Sequence, residues 1–286
     1  MSDVELRIAS LLVYPVKSCA GIAVDEAPLV ETGLEFDREW MVVDAQGEFV
    51  SQREVPRLAL VRTAFKGGTL MLRAPGMLAL HLALDAVEGP TRVTVWDDTL
   101  PAYDMGDLAA QWFSDFLGRP LRLARFDPDQ KRVADRSRRW TGAIEAHAAF
   151  SDAFPLLVVS SAALAEFNTR LAKAGHAGVT MERFRPNIVL DGLDAHGEDH
   201  LDEIRFPGEE GDVVLKLVKP CSRCSIPDVD PESGEPGHAV GDVLASYRAD
   251  ARLDGALTFG MNAVIVEGFD RVLRAGQQGS ATIRFD

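Results

Sequence analysis

The chain has 286 residues, of which 47% are hydrophobic and 26% charged, so it is long enough for two folded domains and is neither disordered nor fibrous in composition. Its 44 acidic and 30 basic side chains give a net charge of -14, which disfavours a nucleic acid polymer as partner. The N-terminus does not resemble a secretion signal, the sequence has no 18-residue apolar run, and three cysteines suit a reducing compartment, so we expect a cytoplasmic protein without membrane contact.

Short strands are predicted throughout the first hundred residues. Runs rich in Val, Leu and Ile are separated by turn residues, in the order LRIASLLVYPV, WMVVDAQGEFV, RLALVRTAFKGGTLMLRA, LALHLAL and TRVTVW. This spacing predicts antiparallel hairpins that form a small sheet or barrel.

The first helix is predicted over DLAAQWFSDFLG, residues 107–118. Asp107 can cap its start and Gly118 its end. The apolar residues expected to share one buried face are Leu108, Trp112, Phe113, Phe116 and Leu117.

The second half mixes strands with a helix. FPLLVVS predicts a buried strand, a helix follows from Ser161 to about Lys173, and NIVLDG predicts the next strand. VVLKLVKP, MNAVIVEG and ATIRF return to strands, so this half is expected to be β-rich.

Two polar segments have uncertain roles at this level. KRVADRSRRW, residues 131–140, holds five basic residues, and it is interpreted either as a solvated loop or as a docking site for an anionic substrate or partner. HGEDH, residues 196–200, has the spacing of a helical metal site, but Gly197 and the neighbouring acids favour a solvent-facing loop.

Two of the three cysteines lie in KLVKPCSRCSIPDVDPESGE, residues 216–235. A structural zinc site would need a second pair of ligands, which the sequence does not offer. A redox dithiol would need a helix that begins at the first cysteine, and Pro227 with the turn residues after it leaves no room for one. Two cysteines buried as small apolar residues would fit a less polar loop than this one. A thiolate near Arg223 and Lys219 remains, and such a sulfur is a good ligand for a soft or high-valent metal.

The cysteine segment resembles the signature of MOSC domains, in which Arg-Cys followed by Val-Asp-Pro supplies the cysteine that ligates molybdenum. VYPVKSCAGI resembles the start of the β-barrel domain that precedes MOSC in the mitochondrial amidoxime-reducing component and its bacterial relatives. Further matches in family order are FDREWMVVD, SQREVPRL, DLAAQWFSDFLG, FPLLVVSSAALAEFN and FRPNIVLDG.

The resemblance implies an α+β, β-rich fold in two domains. An N-terminal MOSC β-barrel domain is expected over residues 1–125, and a MOSC domain with a mixed β-barrel and flanking helices over 126–286. It also implies a molybdenum cofactor (molybdenum-molybdopterin) in a cleft between the domains, with Cys224 as metal ligand and catalytic residue; no pyridoxal phosphate is expected. The residues implied to hold the cofactor are Lys17, Ser18, Arg38, Arg53, Ser160, Arg185, Asn187 and Arg223.

The activity implied is reduction of N-hydroxylated substrates such as amidoximes, hydroxylamines and N-hydroxylated bases. The chain lacks the cysteines of a plant-type iron–sulfur domain, so we expect electrons from a separate flavoprotein reductase or ferredoxin. The alternative is a non-catalytic carrier of the cofactor or of sulfur that uses Cys224.

Overall fold

The computed structural model describes residues 4–284, in which strands dominate. The strands of the first half are β1 Val4–Val13, β2 Ile22–Val24, β3 Glu26–Val30, β4 Gly33–Leu34, β5 Trp40–Val43, β6 Arg62–Lys66, β7 Thr69–Arg73, β8 Leu80–Ala83, β9 Gly89–Val95, β10 Asp98–Asp104 and β11 Arg122–Phe126. The strands of the second half are β12 Leu156–Ser160, β13 Ile188–Asp191, β14 Leu201–Phe206, β15 Val213–Ser222, β16 Ala249–Asp250, β17 Ala256–Glu267, β18 Val272–Arg274 and β19 Gln278–Ile283. The α-helices are α1 Gly106–Leu117, α2 Ser161–Lys173 and α3 Ala239–Ala245.

Seven strands close into a mixed barrel in the order β12, β13, β1, β19, β14, β15 and β17, because β17 pairs back with β12. β12 and β13 are parallel, and the other neighbours are antiparallel. Alternate residues point inward, as in β1, where Leu6 and Ile8 are buried between exposed neighbours. The predicted β-rich fold with a mixed barrel is confirmed.

The first strand of the chain belongs to this barrel. β1 lies between β13 and β19, pairing Leu11 with Ile188 and Leu6 with Gly279. The proposed boundary between residues 1–125 and 126–286 stays a prediction about sequence ranges, and the barrel draws strands from both sides of it.

Most of the remaining N-terminal strands form antiparallel sheets beside the barrel. β5, β11, β10 and β9 form one sheet, β6, β7 and β8 form another, and β3 and β4 join β18 in a third, while β2 pairs with β1 of the barrel. Helix α1 packs its aromatic residues into the core that these sheets share with Trp40. The predicted hairpins are therefore present.

Helix α1 differs from the prediction in two details. It begins at Gly106, and Asp107 lies inside its first turn instead of capping it. Leu108 is 73% exposed, because the buried face is centred on Ala109 and Phe113 and Leu108 lies about 100° around the helix from Ala109. Gly118 ends the helix in the left-handed conformation, as predicted.

Helix α2 has the predicted bounds, and Phe167 and Leu171 are fully buried. The HGEDH segment beside it is not the solvent-facing loop that was predicted, since His196 is 8% exposed and Glu198 is 0% exposed. His196 Nε2 lies 3.1 Å from Glu166 Oε2 of α2 and 3.3 Å from the Tyr247 hydroxyl, so the segment folds beneath the helix. Between residues 4 and 284, no three His, Cys, Asp or Glu side chains are grouped to hold a metal ion.

In the part of the chain that the structure describes, none of the helices combines the length and the apolar character needed to cross a bilayer.

Candidate functional site

A cleft with an empty volume of about 960 Å³, partly open to solvent, lies where loops from both halves of the chain meet. Eight of the nine site residues named from the sequence line it: Lys17, Ser18, Arg38, Arg53, Arg185, Asn187, Arg223 and Cys224. The ninth, Ser160, does not line it. The convergence expected from the sequence is therefore present in the geometry.

Several of the cleft residues lie in loops that follow or precede strands. Lys17 and Ser18 come after β1, Arg38 comes before β5, and Arg185 comes before β13. Ser18, Arg38 and Arg185 have φ angles of 69°, 51° and 58°, in the left-handed region that non-glycine residues seldom adopt. Residues in such sparsely populated conformations cluster at ligand sites, where the surrounding structure holds a set geometry.

Lys17 reaches the cleft from a nearly buried position. Its Nζ donates to the Phe150 carbonyl at 2.7 Å and to Asp152 Oδ1 at 2.5 Å. Burial lowers the pKa of Lys17, and the charge of Asp152 works against that shift. The pair fixes Lys17 as a positive group at the wall of the cleft.

Arg38 and Arg185 both stack on Tyr14. Each guanidinium carbon lies 4.3 Å from the centre of the Tyr14 ring. Arg38 donates from Nη1 to both oxygens of Asp37, whereas Arg185 donates from Nη1 to the Cys19 carbonyl at 2.7 Å. Burial, followed by the charge of Arg38, lowers the pKa of Arg185 to about 10.

The cleft carries more positive charge than its own acids neutralise. Its lining includes six cationic side chains and one carboxylate, Asp152. Within residues 4–284, Arg53, Arg185, Lys219 and Arg223 form no ion pair. Arg185 Nη2 and Arg223 Nε are also buried without a hydrogen-bond partner in that range. Buried donors and charges without partners are costly, so the cleft is suited to an anionic, hydrogen-bond-accepting ligand.

The two cysteines of the signature segment are in different surroundings. Cys224 is exposed at the cleft, whereas Cys221 also lines the cleft but is partly buried against the apolar cluster beneath α2. Arg223 donates from Nη1 to Cys221 Sγ at 3.2 Å and from Nη2 to the Phe184 carbonyl at 2.9 Å. Arg223 therefore contacts the thiol of Cys221 and not that of its sequence neighbour Cys224. The Cys224 thiol is left open to a ligand.

Two of the named residues have structural roles. Asn187 lines the cleft, but its amide accepts from the Leu157 backbone N–H and donates to the Leu12 carbonyl, joining three barrel strands. Ser160 is fully buried, and its hydroxyl caps α2 by accepting from the Ala163 N–H at 3.1 Å. Ser160 is therefore a helix-capping residue outside the cleft.

Asp230 forms a turn in the segment that follows the two cysteines. Its Oδ1 accepts from the backbone N–H groups of Glu232 and Ser233, and its Oδ2 pairs with Arg183 at 2.7 Å.

Sequence reasoning missed part of the cleft wall. Asp152 and Ser151 line it from the loop before β12, and Lys219 and Asn262 line it from β15 and β17. FSDAFP, which places Ser and Asp directly before a buried strand, was the available signal for the first pair. Asn262 lies inside a long strand, where the sequence gives no comparable signal, whereas Lys219 is already expected near the thiolate from the sequence.

The basic segment 131–140 is only partly a solvated loop. Arg132 is 8% exposed and pairs with Asp98 at 2.7 Å. It also donates to the carbonyls of Ala149, Ser151 and Asp152, so it holds the loop that carries the Asp152 side chain. The solvated-loop interpretation is wrong for Arg132, whereas the other basic side chains of the segment stay largely exposed.

Comparison with known proteins covers both halves of the chain. Residues 5–120 match the family described as the MOSC N-terminal beta barrel domain, and residues 145–280 match the MOSC domain. Mitochondrial amidoxime-reducing component 1 of Homo sapiens is 37% identical over 254 residues, which cover 84% of this chain and 72% of that protein. Mitochondrial amidoxime reducing component 2 of Homo sapiens is 35% identical over 249 residues, with coverage of 84% and 72%. Mitochondrial amidoxime-reducing component 1 of Danio rerio is 32% identical over 234 residues, with coverage of 79% and 70%.

Proposed function

Because the chain belongs to the family of proteins that join a MOSC N-terminal β-barrel domain to a MOSC domain, we propose that it is a molybdenum-cofactor-dependent reductase of N-hydroxylated compounds. One observation carries the proposal. The cleft brings an exposed thiol, Cys224, together with six cationic side chains, four of which have no carboxylate partner in the described residues.

The residues present fit the proposed cofactor. Molybdopterin ends in a phosphate and offers many ring donors and acceptors, which match the unpartnered buried N–H groups of Arg185 and Arg223. Lys17, Arg38 and Arg53 line the first-half side of the same cleft and add positive charge there. Cys224 supplies the soft sulfur ligand that a molybdenum centre accepts.

When bound, the cofactor supplies a metal centre that exchanges two electrons and can take up oxygen. The overall reaction breaks the N–O bond of the substrate, consumes two electrons and two protons, and releases the amine or amidine and water. The chain holds the anionic end of the cofactor with its arginines, presents Cys224 to the metal and leaves the cleft open for a small substrate.

A separate protein must deliver the electrons under this proposal. Segment 131–140 approaches the cleft at Trp140, whose ring is 5.7 Å from Lys219 Nζ, and its exposed basic side chains are Lys131, Arg136, Arg138 and Arg139. An acidic flavoprotein or ferredoxin would dock there by charge complementarity, against a chain that is acidic overall. Reduction supported by the protein donor should then weaken with added salt, while reduction supported by a chemical reductant should not.

The test uses protein purified from a host that makes the cofactor. Molybdenum content is measured first, followed by turnover of benzamidoxime with a chemical reductant. Stoichiometric molybdenum with benzamidine as product supports the reductase. Sulfane sulfur on Cys224 without molybdenum supports the carrier function instead.

A further inference from the structure

Asp152 is the one carboxylate among the described residues that line the cleft. Its Oδ1 accepts two hydrogen bonds, from Lys17 Nζ at 2.5 Å and from Trp96 Nε1 at 3.2 Å. In the part of the chain that the structure describes, Oδ2 accepts none. The Asp152 side chain is 55% exposed, so this second oxygen is accessible to a ligand.

The Asp152 carboxylate is held in place on both sides. Lys17 and Trp96 fix Oδ1, and Arg132 binds the carbonyl oxygens of Ser151 at 2.6 Å and Asp152 at 3.2 Å. Arg132 is in turn anchored by Asp98. A group that is positioned before the ligand arrives loses little freedom on binding, which favours a recognition role.

Asp152 is a hydrogen-bond acceptor at neutral pH. Desolvation in the cleft works to raise its pKa, but the charge and hydrogen bond of Lys17, the indole N–H of Trp96 and the charge of Arg53 hold that pKa below its ordinary range. An ionised carboxylate has about four acceptor positions, and the two contacts at Oδ1 leave those of Oδ2 for a donor from outside the protein.

Substrates of the proposed reaction differ in what they offer to such an acceptor. An amidoxime carries an NH₂ group beside the N–OH group, and its reduction, R–C(=NOH)NH₂ + 2e⁻ + 2H⁺ → R–C(=NH)NH₂ + H₂O, gives an amidine that becomes a planar cation on protonation. An aldoxime carries only a C–H at that position. A carboxylate oxygen therefore separates the two classes by one charge-assisted hydrogen bond.

Building on the proposed function, we propose that Asp152 Oδ2 accepts the N–H next to the reacting N–OH group, so that the cleft selects amidoximes and other N-hydroxylated substrates with a neighbouring N–H donor. Lys17 and Trp96 act as positioning residues for this carboxylate. The cationic lining serves the anionic cofactor, and Asp152 serves the substrate.

The test compares wild type with Asp152→Asn in the molybdenum-loaded protein. Asparagine keeps an acceptor for Lys17 and Trp96 but presents an NH₂ donor in place of Oδ2. We expect KM for benzamidoxime to rise about tenfold or more, with KM for benzaldoxime changed less than threefold. Binding of benzamidine, measured by calorimetry, should also weaken by about tenfold or more, because the benzamidinium cation loses its carboxylate partner. Glu145→Gln is the matched control, because it removes one acidic charge from an exposed residue outside the cleft lining and should alter none of these values.

The outcomes separate this inference from the function on which it rests. Benzamidine binding needs no turnover, so an inactive protein that still binds benzamidine through Asp152 refutes the reductase function and supports the subsite. Equal losses for both oximes in Asp152→Asn, or benzamidine binding that the substitution leaves unchanged, overturn the subsite. If Asp152→Asn loses molybdenum, the proposal is tested with wild-type protein alone. Its kcat/KM should be at least about tenfold higher for benzamidoxime than for the smaller benzaldoxime, and equal values would refute the proposal.

Discussion

Substituting Arg185 by methionine should change the stability of cofactor-free protein very little but should clearly weaken cofactor binding. Burial and the charge of Arg38 lower the pKa of Arg185 to about 10. At about 1.4 kcal/mol per pKa unit, holding this charge in the empty cleft costs about 3 kcal/mol. The side chain also donates a hydrogen bond to the Cys19 carbonyl and stacks on Tyr14, and these two contacts together stabilise the folded protein by about 2 to 3 kcal/mol.

These terms nearly cancel without a ligand, so Arg185→Met should change the free energy of unfolding of cofactor-free protein by less than about 1 kcal/mol. In loaded protein the same substitution removes charge-assisted hydrogen bonds to the cofactor, a loss of about 1.5 to 3 kcal/mol or roughly a tenfold or greater loss of affinity. The assay is urea unfolding of cofactor-free protein, together with molybdenum content after purification from a competent host.

Arg183→Met is the control for this prediction. Arg183 lies two residues away, outside the cleft lining, and pairs with Asp230 at 2.7 Å. Its loss should reduce the stability of the cofactor-free protein without reducing molybdenum content. If Arg185→Met instead destabilised the empty protein by more than about 3 kcal/mol and kept full molybdenum content, Arg185 would be a structural residue and the reasoning would be wrong.

Cys224→Ser should abolish reduction and loosen molybdenum, while Cys221→Ser should keep most activity at a stability cost of about 1 kcal/mol; equal losses in metal analysis and turnover would indicate a shared site. Burial and the charge of Arg248 lower the pKa of His196 below its ordinary 6.5, so the unfolded chain binds more protons below that pH, and stability should fall as pH decreases from about 7 to 5. His196→Gln should flatten this dependence in melts across pH, and an unchanged slope would exclude His196 as its source. Arg132→Lys should cost about 2 to 4 kcal/mol in urea unfolding, because lysine cannot reproduce contacts to one carboxylate and three carbonyls, and a stability equal to wild type would contradict that role.

Local patterns in the sequence were sufficient for the elements that have regular periodicity and clear ends. Helix α2 follows from its apolar spacing, and α1 from its aromatic residues and Gly118. The exposure of Leu108 and the burial of His196 and Glu198 could not be predicted in this way, because each depends on which distant element covers that face.

The candidate site shows a similar limit. Family order brought together eight residues that line one cleft, although they lie as far apart as Lys17 and Cys224. It did not show that Arg223 contacts Cys221, or that Ser160 caps a helix. Arg223 is next to Cys224 in the sequence, but sequence proximity does not determine where its long flexible side chain points. A serine directly before a helix can cap that helix in any fold, so the position of Ser160 does not by itself indicate a cofactor contact.

The position of β1 explains why the cleft draws on both halves of the chain. β1 is hydrogen-bonded between β13 and β19 of the barrel, and Lys17 and Ser18 lie in the loop that follows it. Arg185 and Asn187 lead into β13, which is paired with β1, so both loops begin from one rigid pair of strands. Because loops fixed by adjacent barrel strands keep their spacing, the unpaired charges of the cleft can be held close together before a ligand arrives. Holding these charges close together costs free energy, and this cost is offset when an anion binds. Binding of an anion in the cleft therefore stabilises the folded barrel.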